Sequence, residues 1–252
     1  MPFTLAHPAA VLLLRRTSLP VAAMVAGAMT PDVPVFFNAY GRPYDFTHSP
    51  LGVLTFDLAA AVLAVALWFA FLRDPLVDVA PAAIRERLAP RARYTREQWR
   101  LVVLAAIAGS TTHVLWDLFT HRGRWGVRHI EWLHEQHGRL RGDQWSQYAF
   151  SVLGLGICII WAALALRSRT REPRSVVVPA LGVRSLAIVA AVTATAGIIA
   201  GLTAPEPGVR MAVSQTAVVG TIIGTCCVLV LAATWQLLER SRQSRTVKDP
   251  TL

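Results

Sequence analysis

Charge is what this chain has least of. Asp, Glu, Lys and Arg make up 16% of its 252 residues against 54% hydrophobic, where soluble domains carry about 25% charged residues. So little charge cannot cover a water-exposed surface of ordinary size, which excludes a soluble enzyme with a greasy core. Cysteine is equally scarce: Cys158, Cys226 and Cys227 are all there is, and each falls in an apolar run. Neither a disulfide framework nor a Cys-x-x-Cys metal pair is available, and the three read as small apolar packing residues. Acids are outnumbered by bases, giving a net charge of +10. Such a balance can mark a nucleic-acid partner. Here the bases are almost all Arg and stand beside apolar runs, so they read as orientation signals at span ends and no nucleic acid is expected. No internal repeat or low-complexity tract is present.

What the chain does have is long apolar stretches. Crossing a bilayer takes about 20 residues at ~1.5 Å rise each. Five stretches qualify: Leu51 to Leu72, Leu101 to Thr120, Gln147 to Leu166, Leu186 to Ala204 and Met211 to Leu238. The fold expected is all-α, a polytopic transmembrane helical bundle of five spans plus a short N-terminal interfacial or re-entrant helix. Residues 1–166 form a membrane domain with the polar motifs and three spans, 185–240 supply two further packing spans, and 241–252 are a basic cytoplasmic tail. The last two spans are rich in Ala, Gly, Thr and Val, a composition that lets helix backbones approach closely. They carry no ionisable residue before Glu239, so chemistry is expected in the first 150 residues or so. Near the N-terminus, Arg15-Arg16, a short apolar run and Ala26-Gly27-Ala28 also fit a cleaved signal peptide. Against that, an apolar run already precedes the basic pair, and a discarded peptide has no need of His7 and Asp32.

Loop charge gives an orientation. Arg73 to Arg100 holds seven arginines and Arg167 to Arg184 five. Arg240, Arg242, Arg245 and Lys248 follow the last span. All three regions are expected in the cytoplasm, with the protein in the cytoplasmic (inner) membrane and its C-terminus inside. The loop Arg122 to Asp143, placed outside by this alternation, works against it with five arginines of its own.

Ionisable residues inside spans cost about 2.5–3.5 kcal/mol at a helix centre and are functional candidates by default. The second span ends Thr112-His113-Val-Leu-Trp-Asp117-Leu-Phe-Thr-His121, placing His113, Asp117 and His121 at i, i+4 and i+8 on one helical stripe. Neutral imidazole suits zinc and similar metals, and an adjacent carboxylate is a ligand or orients the ring. The first and second spans run antiparallel, so the end of one and the start of the other share a membrane face. At that start stand Thr47-His48-Ser49 and, further on, Asp57. The preceding segment brings Thr30-Pro31-Asp32 and His7-Pro8. If one site joins these clusters, the imidazoles of His48 and His113 should lie within roughly 8 Å, given ligand distances of about 2 Å.

Plainer readings stand beside each residue. His7 could be an exposed or interfacial histidine, Asp32 a turn cap, Asp57 a charge favoured by a helix N-terminus, and His113 with Asp117 a hydrogen-bonded pair joining helices without metal. His129, His134 and His137 read as a solvated or interfacial face beside Trp125, Trp132 and Trp145, which suit an aromatic belt. Arg122, Arg124 and Arg128 could attract an anionic head group or form a basic interfacial loop.

Five ordered motifs carry a resemblance: Met1-Pro-Phe-Thr-Leu-Ala-His7-Pro-Ala, Ala26-Gly-Ala-Met-Thr-Pro-Asp32-Val-Pro, Thr47-His48-Ser49, Thr112 to His121, and Gln147-Tyr148. Over residues 1 to about 165 the chain resembles an uncharacterised bacterial membrane-protein family, domain of unknown function 4184. That family is distantly similar to membrane-bound proteins assigned as metal-dependent hydrolases. The resemblance implies metal ligation by Asp32, His48, His113 and Asp117, with His7 and His121 as further candidates. The function expected is a membrane-embedded hydrolase using a divalent metal such as zinc on a lipid or lipid-linked substrate, phosphorylated substrates included. Asp32 or His121 would serve as general base, and Arg122, Arg124 and Arg128 would meet the head group. The alternative is a non-enzymatic membrane protein whose His/Asp cluster fixes helix packing, binds an ion or binds a partner.

Overall fold

A computed structural model describes residues 4–205 and 208–248. The first three residues of the opening motif, residues 206–207 of the loop before Arg210, and residues 249–252 of the basic tail lie outside the described residues. So do the side chains of Arg210, Arg245 and Lys248.

The chain is helical almost throughout. Short helices α1 (Pro8–Val11), α2 (Val21–Gly27) and α3 (Arg42–Thr47) precede five long ones. These are α4 (Pro50–Val79), α5 (Arg96–Thr120), α6 (Gly142–Arg167), α7 (Val183–Leu202) and α8 (Val209–Lys248). Each long helix contains a segment long and apolar enough to cross a membrane, so the five expected spans are present and the protein is an integral membrane protein. Large apolar side chains turn outward along them, among them Leu63, Leu104, Val152, Ile160 and Ile198, as a lipid-facing surface requires. The described strands are two short ones, β1 (Gln136–His137) and β2 (Leu140–Arg141), paired antiparallel in a hairpin between α5 and α6.

The chain divides into two compact units, residues 1–66 with 94–165 and residues 67–93 with 166–252. In the first, α5 opens with a capping box, Thr95 accepting from the Gln98 backbone and Gln98 returning the bond, which satisfies two of the orphan N–H groups of a helix start. The helix then packs against α2. At Gly109 a side chain would collide with the carbonyl of Met24, so only glycine permits an approach this close. Closeness has a consequence for polar groups: the Ser110 hydroxyl donates to the Gly27 carbonyl at 3.0 Å, and Thr30 donates to the same oxygen at 2.9 Å.

In the second unit α7 packs on α8, and a side chain at Gly201 would strike the Thr216 hydroxyl, in keeping with the close packing expected of the last two spans. The sequence places a loop from Arg73 onward with a proline among its helix-ending signals, yet α4 continues through Pro75 to Val79. Two features permit this. The turn Trp68–Leu72 is a π-helix, and the Phe71 carbonyl, which proline cannot serve, accepts instead from the Gln236 side chain at 3.4 Å. Near the end of α4, Asp78 is buried and accepts from the backbone N–H groups of Val177 (2.8 Å) and Val178 (3.0 Å) and from the Trp235 indole (2.8 Å). Beside it Val79, Val178, Leu231 and Trp235 form the core of the unit.

Candidate metal centre

Three turns of chain bring the ionisable residues of the first unit together. Thr30-Pro31-Asp32 is a tight 3-10 turn just after α2. His48 caps the C-terminus of α3, and the next residue, Ser49, caps the following helix by accepting from the Gly52 backbone at 3.1 Å. The junction is tied to the first turn because the Thr47 hydroxyl donates to the Pro31 carbonyl at 2.8 Å. The third contributor is the end of α5, with His113 and Asp117 one turn apart.

Hydrogen bonds decide which nitrogen of each ring is free. His113 Nδ1 lies 2.8 Å from the Ala28 carbonyl and His48 Nδ1 lies 2.9 Å from the Tyr44 carbonyl. A carbonyl oxygen can only accept, so Nδ1 carries a proton in both rings, and in the neutral imidazole, the form that binds a metal, Nε2 presents a lone pair. Both Nε2 atoms face carboxylate oxygens. His48 Nε2 is 3.2 Å from Asp117 Oδ2 and 3.9 Å from Asp32 Oδ1. His113 Nε2 is 3.4 Å from Asp117 Oδ2 and 3.6 Å from Asp32 Oδ1. In that form lone pair faces lone pair at these distances, in a site 5% exposed or less, which is repulsive unless a metal ion or a proton on Nε2 stands between them.

A metal ion meets that requirement. The four atoms lie within 4.8 Å of one another, and tetrahedral coordination with bonds of about 2.0 Å sets neighbouring ligand atoms ~3.3 Å apart. The four distances above scatter around that edge length. The donor set, two imidazoles and two carboxylates, suits zinc and comparable divalent ions. Asp32 Oδ1 and His113 Nε2 make no hydrogen bond among the described residues, which leaves them free for such a role. The His48 and His113 rings are 5.3 Å apart between centroids, inside the separation expected from the sequence.

A second layer of hydrogen bonds holds the donors. The Thr4 hydroxyl donates to Asp32 Oδ2 at 2.7 Å, and the Tyr44 hydroxyl approaches Asp117 Oδ2 at 3.4 Å. Thr120 donates to Asp117 Oδ1 at 3.3 Å. Gln147, on α6, donates to the Thr120 carbonyl and secures the end of α5. Thr4, Thr47, Thr120 and Gln147 stand in the sequence motifs without a role of their own, and Tyr44 lies outside them, because nothing in a hydroxyl's spacing announces which carboxylate it will reach.

His7 is buried rather than interfacial. Its ring stacks on His113 with centroids 3.6 Å apart, and its Nε2 lies 3.7 Å from Asp117 Oδ1 without a hydrogen-bond partner among the described residues. Burial pushes its pKa down to about 3, so the ring is neutral. Burial and the Asp117 carboxylate push the Tyr44 hydroxyl up, which keeps it a donor.

His121 departs from the expected stripe. α5 ends at Thr120 and His121 is the C-cap in an extended conformation. Gly123 follows at φ 79°, a left-handed turn that suits glycine and takes the chain away from the helix axis. The ring nonetheless turns back, with Nδ1 3.2 Å from Asp117 Oδ1. Asp57 is wholly buried at the end of a π-turn, Val53–Asp57, with neither oxygen hydrogen-bonded among the described residues. It is not a solvated charge at a helix start.

The arginines beyond α5 lie at the rim. Arg124 pairs with Asp45 at 3.1 Å and sits over the Tyr44 ring at 5.7 Å, whereas Arg122 and Arg128 are exposed. His129 and His137 stack on Trp125 and Trp132. Those tryptophans and Trp145 are about half exposed, at 51%, 49% and 46%, the partial exposure an aromatic belt requires. A small cleft is lined by Ala6, His7, Ala10, Trp116 and Phe150.

A family model described as a domain of unknown function, DUF4184, matches residues 1–234. No curated protein matches the chain, and no solved structure does.

Proposed function

The chain belongs to the DUF4184 family, and we propose that it is a metal-dependent hydrolase of the inner membrane, acting on a lipid or lipid-linked substrate at the extracytoplasmic face. The observation that carries the reading is the convergence of four donor atoms, from Asp32, His48, His113 and Asp117, with both imidazole tautomers set by backbone carbonyls. Preset ligands with their outer hydrogen bonds in place are the mark of a metal site. A divalent ion held there that took a water or substrate oxygen as a fifth ligand would lower the pKa of that water and polarise a phosphoryl or acyl oxygen.

The residues divide the remaining work. Asp32, nominated from sequence as ligand and as base, stands among the four donors, so its part is ligation. His121 is more accessible, its side chain 13% exposed, and Asp117 orients it. With one ion bound, it is the group placed to take a proton from water. Tyr44 keeps its hydroxyl proton and can donate to a substrate oxygen, while Arg124, Arg122 and Arg128 offer charge to a phosphate or anionic head group.

Head-group release from mixed phospholipid vesicles by detergent-purified protein, with elemental analysis of the same samples, tests this. Wild type should carry metal and release head groups or phosphate in a chelator-sensitive way that added Zn²⁺ restores. His113→Ala should do neither. Stoichiometric metal without turnover on phosphoester or acyl-ester lipids would overturn catalysis and favour a centre that fixes helix packing.

A further inference from the structure

The four-donor site uses only half of Asp117. Oδ2 faces His48 and His113, but Oδ1 points the other way, toward a second pair of imidazoles: His121 Nδ1 at 3.2 Å and His7 Nε2 at 3.7 Å. Both distances to Asp117 are near the ~3.3 Å between neighbouring ligands of a tetrahedral ion, and His121 Nδ1 also lies 3.1 Å from the Thr120 hydroxyl, which donates to the same Asp117 oxygen. His7 Nε2 is fully buried and unpartnered among the described residues, on a residue 5% exposed, which is a costly arrangement for a polar atom unless something binds it. Its ring is fixed by stacking on His113, so the nitrogen is held in place rather than free to find water.

We infer that Asp117 is a bridging carboxylate and that His7, His121 and Asp117 Oδ1 form a second divalent-cation position beside the first. The inference rests on the hydrolase reading only for the first position. A carboxylate that gives one oxygen to each of two ions holds them at close range, and paired ions about 3.5–4 Å apart clamp the attacking and leaving oxygens of a displacement. Three protein donors leave this position open to water or substrate, as catalytic sites require. It also adjoins the cleft, which His7 lines. Phosphoester and other charged leaving groups are the substrates such a pair serves. When the second ion is bound, His121 is a ligand, and its part as proton acceptor is confined to the singly loaded state.

The test is a Mn²⁺ titration of chelator-stripped, full-length protein in detergent, read by elemental analysis after gel filtration and by electron paramagnetic resonance. Wild type should take up two ions per chain, the second more weakly, with the exchange-coupled signal of a carboxylate-bridged pair. His7→Gln and His121→Gln should each stop at one ion with an uncoupled signal, and His121→Asp, which returns an oxygen donor, should regain the second. If a variant does not fold, the wild-type stoichiometry and coupling decide alone. A wild type that stops at one uncoupled ion, while His113→Gln binds none, overturns the second position and leaves the hydrolase reading standing. A wild type that binds no ion overturns both.

Discussion

Asp78 and Asp117 are both buried carboxylates in membrane-spanning helices, and they are buried for opposite reasons. Asp78, in the second unit, faces three obligate donors, two backbone N–H groups and an indole. Each can only give a hydrogen, so the carboxylate is satisfied without a cation and works as a clamp joining α4, the 177–178 segment and α8. Asp117, in the first unit, faces four imidazole nitrogens. Two of those rings have already committed their Nδ1 protons to carbonyls, so in the neutral, metal-binding form what they turn toward Asp117 is a lone pair. A buried acid is therefore not a sign of chemistry by itself; the direction in which its neighbours' protons point makes the difference.

That contrast is open to direct attack, and the greatest effect is expected at Asp117. Asp117→Asn keeps the shape and removes the charge. Metal affinity should fall more than about 100-fold, since losing even an outer hydrogen-bond partner costs 10–100-fold, while the protein still inserts and folds. Equal metal content in wild type and variant would place Asp117 in the same class as Asp78.

Asp78→Ala should do the reverse. Three N–H groups, two of them in buried hydrogen bonds, lose their acceptor at about 1–3 kcal/mol each where no water replaces it, so stability in detergent should fall by on the order of 3 kcal/mol with metal content unchanged. Thermal unfolding and elemental analysis on one preparation settle both halves.

A smaller change tests the outer layer. Thr4→Val removes the donor to Asp32 Oδ2 and should weaken metal binding roughly 10-fold, measured by competition with a chromogenic chelator. Acid should act more gently still through His7. Its folded pKa is depressed to about 3 from 6.5, so the stability tied to its neutral form is complete above about pH 6.5 and is lost progressively as pH falls toward 3. Metal-free His7→Gln should show a shallower acid slope than metal-free wild type. An unchanged slope would show that His7 is not held neutral.

The least effect is expected at the rim, where Arg122→Gln with Arg128→Gln should weaken binding of anionic vesicles only at low salt.

Much of this was legible from residues alone. Low charge and five apolar runs fixed an all-helical membrane protein, because in hydrocarbon the backbone must satisfy its own hydrogen bonds. The pairing of His113 with Asp117 followed from the 3.6-residue turn, and the convergence of Asp32, His48 and the end of α5 followed from antiparallel spans. Two local rules misled. Pro75 suggested a helix end, but a π-turn and Gln236 absorbed it. The i+8 spacing placed His121 on the helix, but the helix stopped one residue short.

The sequence by itself settled which residues are too polar for where they lie, since the free energy of burying charge depends on composition and run length. Only the tertiary structure decided which nitrogen of each ring was free and which oxygen of Asp117 faced which histidines. It also decided that Asp78 would be sated by N–H donors. Those outcomes depend on carbonyls and hydroxyls brought within 3 Å or so from distant parts of the chain, and no spacing rule along one helix specifies the orientation of a partner on another.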